Sequence, residues 1–172
     1  KNFDLLGFSL SYELGATNIL EMLDLAKIDI YAKNRADLPL NHPQSVPLIF
    51  AGVPTATSNP EPYADFFDFI ALGDGEELLP EIGLIISKTK KLKLTRSQTL
   101  MSLAEIPGVY VPSLYKTSKD FLSVKASSSL APTRVIRRVA TPMPSYSMGL
   151  VPHVATINDR LTIAIRKGCT KG

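Results

Sequence analysis

Three short apolar runs, each halted by a turn of small residues or glycine and followed by helix-forming sequence, set what this chain can fold into. Phe3-Asp4-Leu5-Leu6-Gly7-Phe8-Ser9-Leu10 is apolar almost throughout, as expected of a strand buried on both faces of a parallel sheet. Val46-Pro47-Leu48-Ile49-Phe50-Ala51 stops at Gly52-Val53-Pro54, and Phe69-Ile70-Ala71-Leu72 stops at Gly73-Asp74-Gly75. After the first run, Thr17 or Asn18 can cap a helix reaching about Lys27, with Ile19, Leu20, Leu23 and Ala26 on one face. After the last, Glu76 and Glu77 fall in the first turn of a helix directed toward Lys88, where the macrodipole favours negative charge. Ile28-Asp29-Ile30-Tyr31 reads as a further short strand, residues 32–47 as a loop, and Pro60-Glu61-Pro62 as the opening of a helical turn through Asp65. The rhythm predicts an α/β domain with a parallel sheet, a partial Rossmann-like fold. Ligands of such sheets sit beyond the carboxyl ends of the strands, so the turns after Leu10, Ala51 and Leu72 are expected to share one edge.

Beyond Lys88 the pattern changes. Residues 88–96 are basic and read as a solvated helix end and loop, and Thr99 to Glu105 as a short helix. Val109-Tyr110-Val111-Pro112 reads as a short exposed or edge strand, and residues 113–134 show little periodicity. Arg134 to Val139 suggests another edge strand, residues 141–152 an extended proline-containing linker, and Leu161-Thr162-Ile163-Ala164-Ile165 a fresh strand. No internal repeat is present.

Charge divides the chain along similar lines. Residues 1–86 carry 4 basic and 13 acidic side chains, a balance of −9; residues 87–172 carry 15 and 3, a balance of +12. The halves either complement each other or a neighbouring domain, or the second half offers a face to a polyanion such as RNA. A hydrophobic content of 45% over 172 residues argues against wholesale disorder. No apolar run approaches the roughly 18 residues a membrane span needs, so no membrane partner is expected. A single cysteine, Cys169, excludes an internal disulfide framework and points to a reducing, cytoplasmic setting. The opening Lys1-Asn2-Phe3-Asp4 has neither an initiator Met nor a charged-then-apolar leader, and suggests a fragment.

Few residues carry chemistry by type and spacing. Gly73-Asp74-Gly75-Glu76-Glu77 is a tight strand-to-helix turn whose amides could receive an anion or hydroxyl, or could simply start a helix. Gly52-Val53-Pro54 is a turn of the same kind; neither has dinucleotide-fingerprint spacing or a following Walker-type lysine. Glu61, Asp65, Asp68 and Asp74 are expected near the ligand edge, without a nucleophile or partner base. Tyr12 and Glu13 could reach it too, with packing the simpler role, while His42 and His153 read as exposed loop residues. Cys169, in a small-residue turn with Arg166, Lys167 and Lys171 close in sequence, has surroundings that favour a thiolate.

Seven blocks then stand in a telling order: Leu6-Gly7-Phe8-Ser9-Leu10-Ser11-Tyr12-Glu13-Leu14, Asn18-Ile19-Leu20, Met22-Leu23-Asp24-Leu25-Ala26, Asn59-Pro60-Glu61-Pro62, Ala64-Asp65-Phe66-Phe67-Asp68, Gly73-Asp74-Gly75-Glu76-Glu77-Leu78-Leu79-Pro80-Glu81 and Gly108-Val109-Tyr110-Val111-Pro112. Together they resemble the cobalamin-binding-like region that precedes the catalytic barrel in a subgroup of radical S-adenosylmethionine (SAM) proteins. Asn158-Asp159-Arg160 through Arg166-Lys167-Gly168-Cys169-Thr170-Lys171-Gly172 resembles the first barrel strand and its cluster loop. The resemblance implies a partial cobalamin-binding-like domain over 1–90, a basic connecting region and linker over 91–157, and the start of the radical-SAM core at 158–172. It implies that Cys169 is the first of three cysteines holding a [4Fe–4S] cluster, which binds S-adenosylmethionine and cleaves it reductively in the complete protein. Ser9, Gly52, Gly73, Asp74, Gly75 and Glu76 would border a ligand or domain interface, and the missing barrel would be the partner. Two departures argue against cobalamin: neither histidine lies in Asp-x-His-x-x-Gly, and Val53 stands where a second glycine is common. With one thiolate, the 172 residues alone are expected to hold no cofactor and to be inactive. The alternative reading is a non-catalytic α/β module that binds a ligand or docks a partner, with RNA as one candidate.

Overall fold

A computed structural model describes residues 3–52, 54–118, 123–127 and 131–141. Lys1–Ala140 is one compact unit and Thr141–Gly172 a second, and every element named here belongs to the first. The elements are β1 (Leu5–Ser9), α1 (Gly15–Leu25), β2 (Leu48–Gly52), α2 (Pro54–Ser58), β3 (Phe69–Ala71), α3 (Gly75–Lys91), α4 (Arg96–Ala104), β4 (Val109–Tyr110), β5 (Tyr115–Thr117) and β6 (Val124–Ala126). The main sheet has the order β1-β2-β3-β4; β1, β2 and β3 are mutually parallel and β4 is antiparallel to β3. Strands β5 and β6 form a separate antiparallel hairpin. This is the mixed α/β, partly Rossmann-like architecture the apolar runs predict. No helix among the described residues is long and apolar enough to cross a membrane.

Strand periodicity sorts the core into two layers. Leu48, Phe69, Ala71, Val109 and Val111 face α3 and α4, meeting Leu78, Ile82, Ile86, Leu100 and Leu103. The alternate residues Ile49, Ala51, Ile70, Leu72 and Tyr110 face α1 and α2, meeting Ile19, Leu23 and Ala56. Both faces of β2 and β3 are therefore covered, which explains why these strands are apolar runs and not alternating ones. Strand β1, expected to be buried on both faces, is only partly buried at the end of the strand order, with Gly7 and Ser9 exposed. Gly7 leaves room on β1 for the ring of Phe50, which stacks on Phe69 at 5.0 Å between centroids.

Several expectations are corrected. Ile28–Tyr31 is not a strand: Arg35 takes the carbonyls of Asp29 and Ile30 at 3.0 Å each, and Asp29 Oδ1 accepts the Tyr31 amide. Thr17 does not cap α1; its hydroxyl donates to the Leu14 carbonyl inside a helix that starts at Gly15. The stretch 109–112 is at the sheet edge but not exposed, since Val109, Tyr110 and Val111 are all buried. Residues 113–134 contain the β5–β6 hairpin, and 134–139 contribute one parallel bridge, Arg138 to Gly73, in place of a strand. Helix α4 begins at Arg96, under a capping box between Thr95 and Gln98. The linker beyond Thr141 and the strand at Leu161–Ile165 lie outside the described residues.

The largest correction concerns the basic stretch 88–96, expected in solvent. Arg96 is buried, and with Arg35 it encloses Asp68, which was expected at the ligand edge and instead precedes β3 at the opposite, amino edge. Asp68 Oδ2 accepts from Arg35 Nη1 at 3.0 Å, Arg96 Nη2 at 2.6 Å and the Ile49 amide at 2.7 Å, while Oδ1 accepts Arg96 Nε at 2.9 Å. The guanidinium groups go on to the carbonyls of Phe66, Val46 and Pro47. Burial lowers the Arg35 pKa, with Asp68 pulling the other way. At the rim, desolvation would raise the Asp37 pKa, but hydrogen bonds from Ser97 and Thr95 and the charge of Arg96 outweigh it and hold it below the usual carboxylate value.

Two predictions follow from this cluster. Asp68→Ala strands two buried cations and should cost about 3–5 kcal/mol of unfolding free energy, a large part of an ordinary domain's 5–15; urea denaturation measures it, and a loss under about 1 kcal/mol would contradict the role. Asp37, whose folded pKa is depressed, contributes stability above its unfolded pKa of about 3.9 and loses it as pH falls through the folded value. Asp37→Asn should therefore be less stable than wild type at neutral pH, with the gap closing below about pH 4. A gap that stays constant from pH 7 to pH 3 would contradict that assignment.

Candidate functional site

The parallel register of β1, β2 and β3 brings the ends of the first three apolar runs to one edge, as expected. Ser9 lies opposite Gly52, whose carbonyl accepts the Leu10 amide at 3.1 Å, and Gly52 borders Ala71 of β3. Gly73 follows at φ +100°, a conformation that favours glycine, and its amide donates to Thr57 Oγ1 of α2 at 3.1 Å. Asp74 precedes α3 in extended conformation, Gly75 is the first helical residue, and Glu76 is exposed in the first turn. All six residues singled out from sequence thus lie along the carboxyl edge.

Much of the β3 end of that edge is taken by the chain itself. The Arg138 amide donates to the Leu72 carbonyl at 2.8 Å, and the Arg138 carbonyl accepts the Asp74 amide at 3.0 Å. Asp74 Oδ2 accepts the Ala140 amide at 3.0 Å. The Arg138 guanidinium reaches Glu81 Oε1 at 2.5 Å and Glu77 Oε2 at 3.2 Å. The Gly73 and Asp74 amides of this turn therefore already have acceptors within the chain. Arg138 itself was not foreseen, although a signal existed. Glu77 and Glu81 stand four apart on one helix face, where like charges repel unless a cation lies between them.

Two clefts among the described residues lie at the other end of the sheet. A cleft of about 410 Å³ is bordered by Arg35, Asp68 and Arg96 on one side and by Glu61, Tyr110 and Tyr115 on the other. A second, of about 340 Å³, is bordered by Asp4, Lys90, His42 and Pro47, with Asp4 and Lys90 paired at 2.7 Å. Glu61 and Asp65, expected beside the carboxyl turns, line the first cleft instead. In that cleft the Tyr110 hydroxyl donates to Glu61 Oε1, and Thr117 Oγ1 donates to Oε2 at 3.3 Å. Burial first, then the hydrogen bond to Glu61 and its charge, raise the Tyr110 pKa well above its ordinary value. Tyr110 is thus a fixed proton donor to a carboxylate and no base at neutral pH. Among the described residues that line the cleft there is no histidine.

The remaining sequence candidates are scattered. Tyr12 is 61% exposed and does not take the packing role expected of it. His42 is an exposed loop residue whose Nδ1 accepts the Gln44 amide, as read from sequence. His153 and Cys169 lie outside the described residues. Among the described residues, no group of three or more His, Cys, Asp or Glu could hold a metal ion, so they supply no ligand set for an iron–sulfur cluster. Within the described part of the basic half, Lys116 and Lys125 are register partners across the β5–β6 hairpin, both exposed.

A search of curated proteins finds no match, and neither does a search of solved structures. A family model described as "Radical SAM proteins, N-terminal" matches residues 1–112, a span that contains the whole four-stranded sheet and the helices on both its faces. The ordered sequence blocks, the α/β sheet they build and this match agree: the chain belongs to the radical SAM proteins, through their N-terminal family.

Proposed function

We propose that this chain is the N-terminal part of a radical SAM enzyme, a scaffold domain whose partner is the enzyme's own catalytic barrel. The observation that carries the reading is the family match over residues 1–112, the span that forms the complete main sheet. On this reading, reductive cleavage of S-adenosylmethionine belongs to the complete protein, which holds a [4Fe–4S] cluster. Cys169 is the first cluster thiolate; the basic residues near it in sequence, Arg166, Lys167 and Lys171, would favour its ionised form. Ser9, Gly52, Gly73, Asp74, Gly75 and Glu76 border the domain interface and not a catalytic centre. A cluster with thiolate ligands fits a reducing, cytoplasmic setting.

The test is iron and acid-labile sulfide content. The sample is the complete protein, reconstituted without oxygen, beside its Cys169→Ala variant and the 172-residue chain alone. Stoichiometric cluster in the complete protein, lost on Cys169→Ala and missing from the 172-residue chain, is the expected result. A cluster indifferent to Cys169→Ala, or no cluster in the complete protein, would remove this reading and leave a non-catalytic docking module.

A further inference from the structure

We propose that residues 135–140 are the built-in occupant of the carboxyl edge, a strap that takes the place of a flat tetrapyrrole cofactor there. Two glycines at positive φ, Gly73 at +100° and Gly108 at +96°, form the cradle. Both abut Arg138. A Cβ built on Gly73 would overlap the Arg138 carbonyl oxygen, and one built on Gly108 would come within 3.0 Å of the Arg138 Cβ. The space that glycine leaves at each turn is therefore filled by the backbone and Cβ of a single residue of the same chain. That residue bridges in parallel to Gly73, the pairing by which an added peptide strand docks on a sheet edge.

Side-chain chemistry gives the docking its specificity. The guanidinium of Arg138 lies between Glu77 and Glu81 on α3, and the Asp74 carboxylate holds the Ala140 amide two residues further on. A planar macrocycle laid on strand ends spans several strands, spaced about 4.8 Å apart. Among the described residues three strands of the sheet are mutually parallel, and the strap occupies the end of the third. The described residues thus do not fit a cobalamin resting across this edge. The cradle falls within the family-matched span and the strap beyond it, so the edge is built to receive the segment that leads on from the domain.

Residue-resolved native-state hydrogen exchange on the whole 172-residue chain tests the strap. The amides of Asp74, Arg138 and Ala140 should exchange at least about a hundredfold slower than in an unstructured peptide. The double variant Glu77→Gln/Glu81→Gln, and separately Gly73→Ala, should release Arg138 and Ala140 by about tenfold or more while Ile49 and Ile70 keep their protection. Hydroxocobalamin added in excess should leave with the small molecules on gel filtration. Unprotected Arg138 and Ala140 amides in the wild type would overturn the proposal, and so would stoichiometric co-elution of cobalamin with the chain. The glutamine pair leaves the backbone untouched, so the test survives if Gly73→Ala fails to fold.

Discussion

One buried carboxylate holds the amino edge of this domain together. Asp68 receives four hydrogen bonds, three of them from two guanidinium groups that sequence places 61 residues apart, Arg35 and Arg96. Each arginine also donates to backbone carbonyls: those of Asp29, Ile30 and Phe66 for the first, those of Val46 and Pro47 for the second. The loop after α1, the entry to β2, the entry to β3 and the start of α4 are all fastened through one group. Two buried cations around one anion would be costly alone, and Asp29 and Asp37 nearby offset the surplus positive charge.

The two ends of the sheet are consequently different in kind. At the amino edge, charge is buried and satisfied and the clefts are polar. At the carboxyl edge, where the fold ordinarily presents ligand sites, glycine turns admit the chain's own backbone and a surface arginine is clasped by two glutamates. Tyr110 of β4 lies opposite Ile70 of β3 and belongs to the same core layer, while its hydroxyl is fixed on Glu61 in the amino-edge cleft. The chain's membership of the radical SAM N-terminal family is the context in which both edges stand.

The apolar runs of β2 and β3 were legible because burial on both faces removes polar residues from them. Strand β1, only partly buried, was placed from its apolar run too, and helices α1 and α3 from one-face spacing and first-turn charge. Strand β4 was placed as well, yet its burial was not foreseen, because two residues of β-branched and aromatic sequence carry no sign of what covers them. The Asp68 cluster was not legible. Arg96 sits among lysines that are solvated, and only the fold shows that its side chain turns inward while Lys91 and Lys93 stay out. The six edge residues lie along the carboxyl edge that the turns mark. Of the Arg138 clasp only Glu77 and Glu81, four apart on one helix face, left a local sign, the arginine being 61 and 57 residues away. Long-range pairing of charges leaves little trace in local sequence, whereas periodicity and turn chemistry do.

The claim on which the rest depends is that Asp68 and its arginines act as a unit. A double-mutant cycle of Asp68→Asn and Arg96→Met, read by urea unfolding, tests it most directly. The account predicts strong coupling, with the double variant less destabilised than the sum of the single variants by about 1–3 kcal/mol. Losses that add to within about 0.5 kcal/mol would show the two side chains to be independent and would contradict it.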